Sequence, residues 1–332
     1  DATSLVAFIL VSLLLRITTE ELSGAVADAQ STLMQESMAQ GGNLGFNLAG
    51  RFMQLGIIMQ WFLVIPSLVI WAVFMHDVVE WLVPENPEMA DLASEYVQII
   101  SVEYGIKALS RSFMLAFHLT GQAQFELNVD LCVTALTIAA ISLSSTASDK
   151  TTLNVIGWIQ VVAAAANAFG KVTYMFSKGQ IKVYLEGFLG GVSLYEFDKV
   201  GVYLTIMFPL VLGSLMEVGE WDILLFVVQH LGGAETATWA MMGIIWEVFQ
   251  AFTEGLGEAS AVRVSYYLTE NLPALAEQLA NKAVFLSIME AIILTAVFLM
   301  IGPNLSVALT RDPVLQHLFN ELVPAAALAN IA

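Results

Sequence analysis

Residues 208–273 read FPLVLGSLMEVGEWDILLFVVQHLGGAETATWAMMGIIWEVFQAFTEGLGEASAVRVSYYLTENLP. The stretch opens on an apolar run interrupted by Pro209, then carries Glu217, Glu220 and Asp222 within a segment hydrophobic enough for a bilayer. Beyond Gly232-Gly233 a second apolar run carries Glu247, Glu254 and Glu258, and it closes on Ala261-Val262-Arg263-Val264-Ser265. A carboxylate at membrane depth costs about 2.5–3.5 kcal/mol on insertion scales, and acids kept there mark an ion or substrate path. These two runs set the fold class: helices that cross a membrane and hold acids inside it.

The rest of the chain agrees. Of 332 residues, 58% are hydrophobic and only 13% charged, with a mean hydropathy of +0.75. Soluble domains carry nearer a quarter charged residues, so the composition is that of an all-α polytopic membrane protein in contact with the lipid bilayer. The formal net charge of −18 rules against nucleic-acid binding. A single cysteine, Cys132, excludes an internal disulfide and reads as a small packing residue. No cleavable signal peptide is visible: Asp1-Ala2-Thr3 precedes Leu5 to Leu15 without an initiator Met or a basic flank.

Membrane-length segments separated by turn signals fall at about 4–30, 48–76, 90–118, 125–146, 153–177, 199–230, 235–262 and 274–302, and another helix begins in 311–332. The chain therefore holds about eight to nine helices. Within the first, Arg16 and Glu20 are four apart and predicted to pair along one face. Threading the segments alternately gathers Arg51, Lys107, Arg111, Lys171, Lys178, Lys182, Lys199, Arg263 and Lys282 on one side, against Lys150 and Arg311 on the other. The basic side is cytoplasmic by the positive-inside rule, and the acidic turn from Glu80 to Glu95 faces the opposite compartment.

Glu85-Asn86-Pro87-Glu88-Met89-Ala90-Asp91-Leu92 resembles Arg311-Asp312-Pro313-Val314-Leu315-Gln316-His317-Leu318, at an offset of 226. Each copy follows a long apolar segment and starts a helix in the same orientation, which predicts parallel repeats about an axis along the membrane normal. Extending the offset gives two pseudo-symmetric six-helix lobes. On that reading 1–180 is an N-terminal lobe lacking its first helix, 181–198 a polar, Gly-rich cytoplasmic linker, and 199–332 a C-terminal lobe lacking its last helices.

Four ordered features carry a family resemblance. Ala261-Val262-Arg263-Val264-Ser265-Tyr266-Tyr267-Leu268-Thr269-Glu270-Asn271-Leu272-Pro273 resembles the signature Ser-x-Arg-Val-Ser-Asn-x-Leu-Gly-Ala-Gly-x-Pro, departing at Tyr266 and at Thr269-Glu270-Asn271. Val83-Pro84-Glu85-Asn86-Pro87-Glu88 looks like the turn Leu-Gly-Gln-Asp-Pro-Glu. Pro209 precedes Glu217-Val218-Gly219-Glu220-Trp221-Asp222 as Pro precedes Glu-Trp-Trp-Ser-Phe-Glu, and Glu235-Thr236 stands at the matching distance before Arg263. The chain thus resembles the multidrug and toxic compound extrusion transporters, in their plant-like eukaryotic branch, from about residue 4 to 324.

That resemblance implies a secondary antiporter of two alternating lobes that exports small organic cations or related metabolites in exchange for H+ or Na+, with no other cofactor. It implies that Glu217 is the acid binding the coupling ion or the cationic substrate. Two rival readings remain. One is a transporter-derived structural subunit of a larger membrane complex, suggested by the lost Gly-Ala-Gly turn and the surplus of acids. The other is a lipid-precursor flippase of the same superfamily, which would want a basic cavity.

Around Glu217, Glu220 lies about 60° away on the helical wheel and Asp222 on the far side. Trp221, between them, and Trp246 could offer aromatic faces to an organic cation. Glu247, Glu254 and Glu258 lie within about 40° of one face and form an acidic stripe, in which Glu247 is the deepest and Glu258 sits near the cytoplasmic end. Glu20, Glu21 and Asp28 make a partial acidic stripe in the first lobe, with Arg16 close enough to neutralise one of them. Asp130 reads as a solvated residue near the start of its segment. His76, His118, His230 and His317 lie near segment ends without metal-ligand spacing. No nucleophile–base pair or phosphate-loop pattern stands in the sequence, so an enzyme is not expected.

Overall fold

The computed structural model describes residues 2–39, 41–83, 87–119, 122–147, 153–179, 181–191, 193–229, 231–269, 272–310 and 312–330. For Glu217, Glu220, Trp221, Asp222 and Glu258, among others inside helices, only the backbone belongs to that set. The described residues are almost wholly helical. In chain order they form α1 (Ala2–Leu15), a π turn (Arg16–Glu20), α2 (Glu21–Ala39), α3 (Gly42–Leu82), α4 (Pro87–Leu119), α5 (Ala123–Ala147) and α6 (Leu153–Lys178). There follow α7 (Lys182–Leu189), a 3-10 turn (Ser193–Tyr195), α8 (Phe197–Gln229), α9 (Gly233–Thr269), α10 (Pro273–Leu309) and α11 (Pro313–Ala329).

A helix lies at every predicted segment, and the punctuation is chemical. Gly41 and Gly42, at φ 75° and 65°, take the left-handed turn into α3. Pro87, Pro273 and Pro313 begin helices where the missing N–H costs nothing, and Asp312 caps α11 by accepting from the Val314 N–H at 2.9 Å. Among the described residues, five helical stretches are long and apolar enough to cross a membrane: Gly42–Leu82, Gln124–Ser144, Leu153–Lys178, Phe197–Met216 and Pro273–Leu309. The chain is an integral, multi-pass membrane protein.

The chain forms two compact units, residues 1–222 and 223–332, and the boundary falls inside α8. The first unit is centred on Val26, Ala29, Leu33, Met53, Leu55, Tyr184, Tyr203 and Met207. Two buried amides tie its helices together: Gln30 Nε2 donates to the Ser112 carbonyl at 2.9 Å and Gln60 Nε2 to the Ser23 carbonyl at 2.8 Å. Such side-chain bonds replace the hydrophobic drive that lipid cannot supply. In the second unit, α9, α10 and α11 pack pairwise, with Phe249 edge-on to Phe298 at 5.2 Å. The same pairwise packing joins α1–α2, α3 and α4 in the first unit. The turns α3–α4 and α10–α11 carry the sequence repeat.

Residues 181–198, expected as a linker, hold a docked helix. α7 lies against α3 at a crossing so close that a Cβ on Gly50 would sit 2.2 Å from the Tyr184 carbonyl oxygen, and one on Gly187 1.8 Å from that of Asn47. Gln54 then bonds the Phe188 carbonyl and both the amide and hydroxyl of Ser193. Glu196 is held by Arg51 and Lys199. The hydrogen bond from Lys199, with the charges of Lys199 and Arg51, keeps the Glu196 carboxyl below its usual range against a smaller burial effect.

Candidate transport site

α8 is helical through the predicted acids. Pro209 lies in its first half, and Thr205, whose carbonyl would otherwise receive the missing N–H, turns its hydroxyl to the Gly201 carbonyl at 2.8 Å. Eight residues on comes Glu217, one turn beyond Gly213 on the same face. A Cβ added at Gly213 or Gly219 would meet nothing within 4 Å, so the helix surface there is open. The side chains of Glu217, Glu220, Trp221 and Asp222 lie outside the described residues, as do those of His118 and His230.

On α9 the helical period separates two faces. Ala237, Met241, Met242, Ile245 and Phe249 are buried, whereas Glu247 and Glu254 are exposed. Glu247 and Glu254 thus turn away from the α9–α10–α11 core. Trp246 is half-buried, its ring 6.3 Å from Phe249. The Glu258 side chain lies outside the described residues.

The first unit holds a cavity of about 240 Å³ that the sequence reading missed. Its lining is Thr19, Glu20, Ser23, Tyr104, Lys107, Ala108, Ser110, Arg111, Met114 and Glu126. The π turn makes one wall. There the Glu21 N–H bonds the Arg16 carbonyl five residues back, which aligns residues five apart. Arg16 consequently pairs with Glu21 at 3.6 Å, not with Glu20 as the four-residue spacing suggested, and Glu20 lines the cavity. α3 braces the turn through bonds from Ser67 to the Thr18 carbonyl and from Trp71 Nε1 to the Thr18 hydroxyl, at 3.1 and 2.6 Å.

α4 makes the opposite wall. The almost buried Glu103 holds Lys107 at 2.6 Å, and Lys107 stands 5.6 Å from the Tyr104 ring centre. Arg111 Nη1 reaches the Glu20 carbonyl at 3.4 Å. Glu126 closes one end and binds Lys171, which is only 4% exposed, at 3.3 Å. Lys171 also contacts Asp130 at 2.7 Å, and Asn167 donates to the same carboxylate at 2.7 Å. Asp130, which the sequence suggested was solvated, is therefore a partner in an interhelical network, and Lys171 is its buried cation. The Glu103–Lys107 spacing of four inside an apolar helix was the available sequence signal. With two acids and two bases on its walls, the cavity suits a small polar or zwitterionic group. It lies below the roughly 300 Å³ at which drug-sized pockets begin.

His76 also departs from expectation: its ring lies 3.3 Å from Asp91 and within ion-pair reach of Asp77 and Glu80. One ligand atom each from His76, Asp77 and Glu80 fall within 4.8 Å of one another. The carboxylates are exposed, and they gather around the His76 ring where α3 ends and α4 begins. His317 pairs with Glu321 at 3.7 Å.

Residues 209–332 match the family model MatE. They form a MATE-family segment. It begins at Pro209, takes in the backbone of the Glu217 stripe and runs through α9, α10 and α11. The match covers less than half of the chain, which as a whole is a multi-pass membrane protein similar to that family from Pro209 onward. No curated protein matches the chain at a significant level.

Proposed function

We propose that the protein is a secondary antiporter that exports small organic cations in exchange for H+ or Na+, with Glu217 as the coupling carboxylate. The observation that carries this reading is the MATE match starting at Pro209, which takes in Glu217 eight residues into the match, on an open stretch of α8. An acid enclosed by protein and lipid is stabilised in its neutral or cation-bound form. Binding a proton or metal ion at Glu217 then competes with binding a cationic cargo, and that competition is exchange. Glu220, Trp221 and Asp222 flank it on the same helix as cargo contacts, and Glu247, Glu254 and Glu258 supply a further negative surface.

The flippase alternative receives less support, because Glu20 and Glu126 balance Lys107 and Arg111 in the one described cavity. The test is uptake of an organic cation into vesicles holding the full-length protein, driven by a pH step or a Na+ step. Glu217→Gln should abolish the uptake driven by whichever gradient the wild type uses. Full gradient-driven uptake in that variant would refute the assignment.

A further inference from the structure

The cavity in the first unit plays no part in the exchange assigned to Glu217, and its four charged lining residues are not equivalent. Two are already answered by neighbours: Glu126 is held by Lys171 at 3.3 Å, and Lys107 by the almost buried Glu103 at 2.6 Å. The other two are Glu20 and Arg111. Among the described residues neither forms an ion pair, and Arg111 Nη1 meets the Glu20 carbonyl oxygen at 3.4 Å in place of the carboxylate. Two opposite charges that line one cavity without closing on each other leave a gap suited to a ligand that carries both.

The backbone holds them in that arrangement. In the π turn Arg16 is drawn to Glu21 at 3.6 Å, so Glu20 is spared its nearest base and lines the cavity instead. The turn cannot rotate freely, because α3 grips it: the Thr19 and Ser67 hydroxyls lie 2.9 Å apart, and Ser67 and Trp71 bond Thr18. A π turn interrupts the regular helix ladder and recurs where a helix presents a functional side chain. On the other wall Arg111 stands one helical turn beyond Lys107, about 6 Å along α4.

The lining also limits the ligand. A volume of about 240 Å³ is the room of roughly eight waters, which admits a molecule of roughly six to ten non-hydrogen atoms. Ser23 and Ser110 add hydroxyls to the walls, and the buried Ala108 and Met114 add apolar atoms. A simple cation drawn by Glu20 would be repelled by Arg111, and a simple anion the reverse. A molecule with an ammonium and a carboxylate on adjacent atoms satisfies both, since an ammonium donates to a carboxylate and a guanidinium fork donates to a carboxylate in two bonds.

We propose that this cavity is a binding site for a small α-amino acid in its zwitterionic form, with Glu20 taking the ammonium, Arg111 the carboxylate, and Ala108 and Met114 the side chain. The site is separate from the Glu217 stripe, and binding there does not rest on the antiport reading. The test is calorimetric binding to the full-length protein in detergent at neutral pH. The probes are L-alanine, L-valine and L-methionine, with two relatives of valine: valinamide, which lacks the carboxylate, and 2-hydroxy-3-methylbutanoate, which lacks the ammonium.

At least one of the three amino acids should bind, and valine should bind at least about tenfold more tightly than either relative. Glu20→Gln and Arg111→Gln should each weaken amino-acid binding by at least about tenfold, and in Arg111→Gln valine should lose its advantage over valinamide. Glu217→Gln should bind the amino acid as the wild type does. No binding of any of the three below about 10 mM would overturn the proposal. So would valinamide or the hydroxy acid binding as tightly as valine, a comparison made on the wild type that needs no variant to fold. Undiminished binding in both Glu20→Gln and Arg111→Gln, or its loss in Glu217→Gln, would place the amino acid elsewhere and overturn it equally.

Discussion

Lys171 shows how a single buried charge can be worth more than the hydropathy around it suggests. Its ammonium has left water and is balanced by Glu126 and Asp130 on α5. Cutting one partner from a buried ionic set leaves the others uncompensated, at about 3–5 kcal/mol. Lys171→Met should therefore lower the thermal unfolding midpoint markedly. The double variant Lys171→Met with Asp130→Asn should recover part of the loss, because fewer acids are then stranded. Thermal unfolding of the detergent-solubilised protein checks both, and a single variant as stable as wild type would show that the network carries no such weight. This network was not legible in the sequence, because Lys171 is 45 residues from Glu126 and ordinary spacing rules stop at one helical turn. The Arg16 pairing failed for a different reason. The rule of four residues holds for an α-helix, and a π turn, which the residues 16–20 do not advertise, shifts the partner to Glu21. Glu217 stood out by contrast because an acid eight residues after a helix proline, in an apolar run, is conspicuous in one dimension.

The α7–α3 contact is the clearest case of an element whose existence the composition concealed. Glycine and polar residues across 181–198 suggest a tether, yet here the glycines permit one helix to lie on the backbone of another. The usual effect of replacing a helix glycine by alanine is stabilisation, of about 1 kcal/mol. At Gly187 that gain is overridden, since the methyl would collide with the Asn47 carbonyl, part of a helix backbone that cannot yield. Gly201, in α8, provides the control, because a Cβ there meets nothing within 4 Å. Gly187→Ala should destabilise the first unit and expose 181–196 to protease, whereas Gly201→Ala should leave cleavage unchanged and match or exceed wild-type stability. Equal protease resistance in the two variants would mean that α7 is not anchored by this crossing. The long helices themselves were readable, being signalled by apolar runs between glycine and proline punctuation. Their charges were harder to interpret. Glu103 and Lys107 satisfy each other on α4, and Glu20 faces a cavity, arrangements that an averaged hydropathy cannot separate from solvent exposure.

For the molecule as a whole, the membrane class followed from composition, while the two proline-led helix starts at Pro87 and Pro313 are the sequence features that suggest an internal repeat. Orientation depends on the distribution of bases, and the structure changes the weight of that argument. Lys171 is buried in an ion network and does not act as a solvated charge, whereas Lys107, bound to Glu103, stays exposed. In the alternate threading of the sequence Arg51, Lys178, Lys182 and Lys199 are still assigned to one side, and the rule counts lysine and arginine near helix ends regardless of the acids beside them. The α6–α7–α8 region should therefore be cytoplasmic and the α3–α4 turn opposite. Cys132 is the single cysteine, so a Cys132→Ser background is free of thiols. Two exposed positions can then be probed one at a time: Glu186→Cys on α7 and Glu88→Cys at the start of α4. A membrane-impermeant maleimide added from the non-cytoplasmic side should label the residue-88 thiol in sealed membranes, and the residue-186 thiol only after permeabilisation. The reverse pattern would invert the topology, and labelling of both positions from one side would break the alternate threading on which the helix count depends. The same two thiols serve as reporters for exchange, since a cycle that moves protein across the bilayer should alter their labelling rates when cargo and a pH gradient are present together.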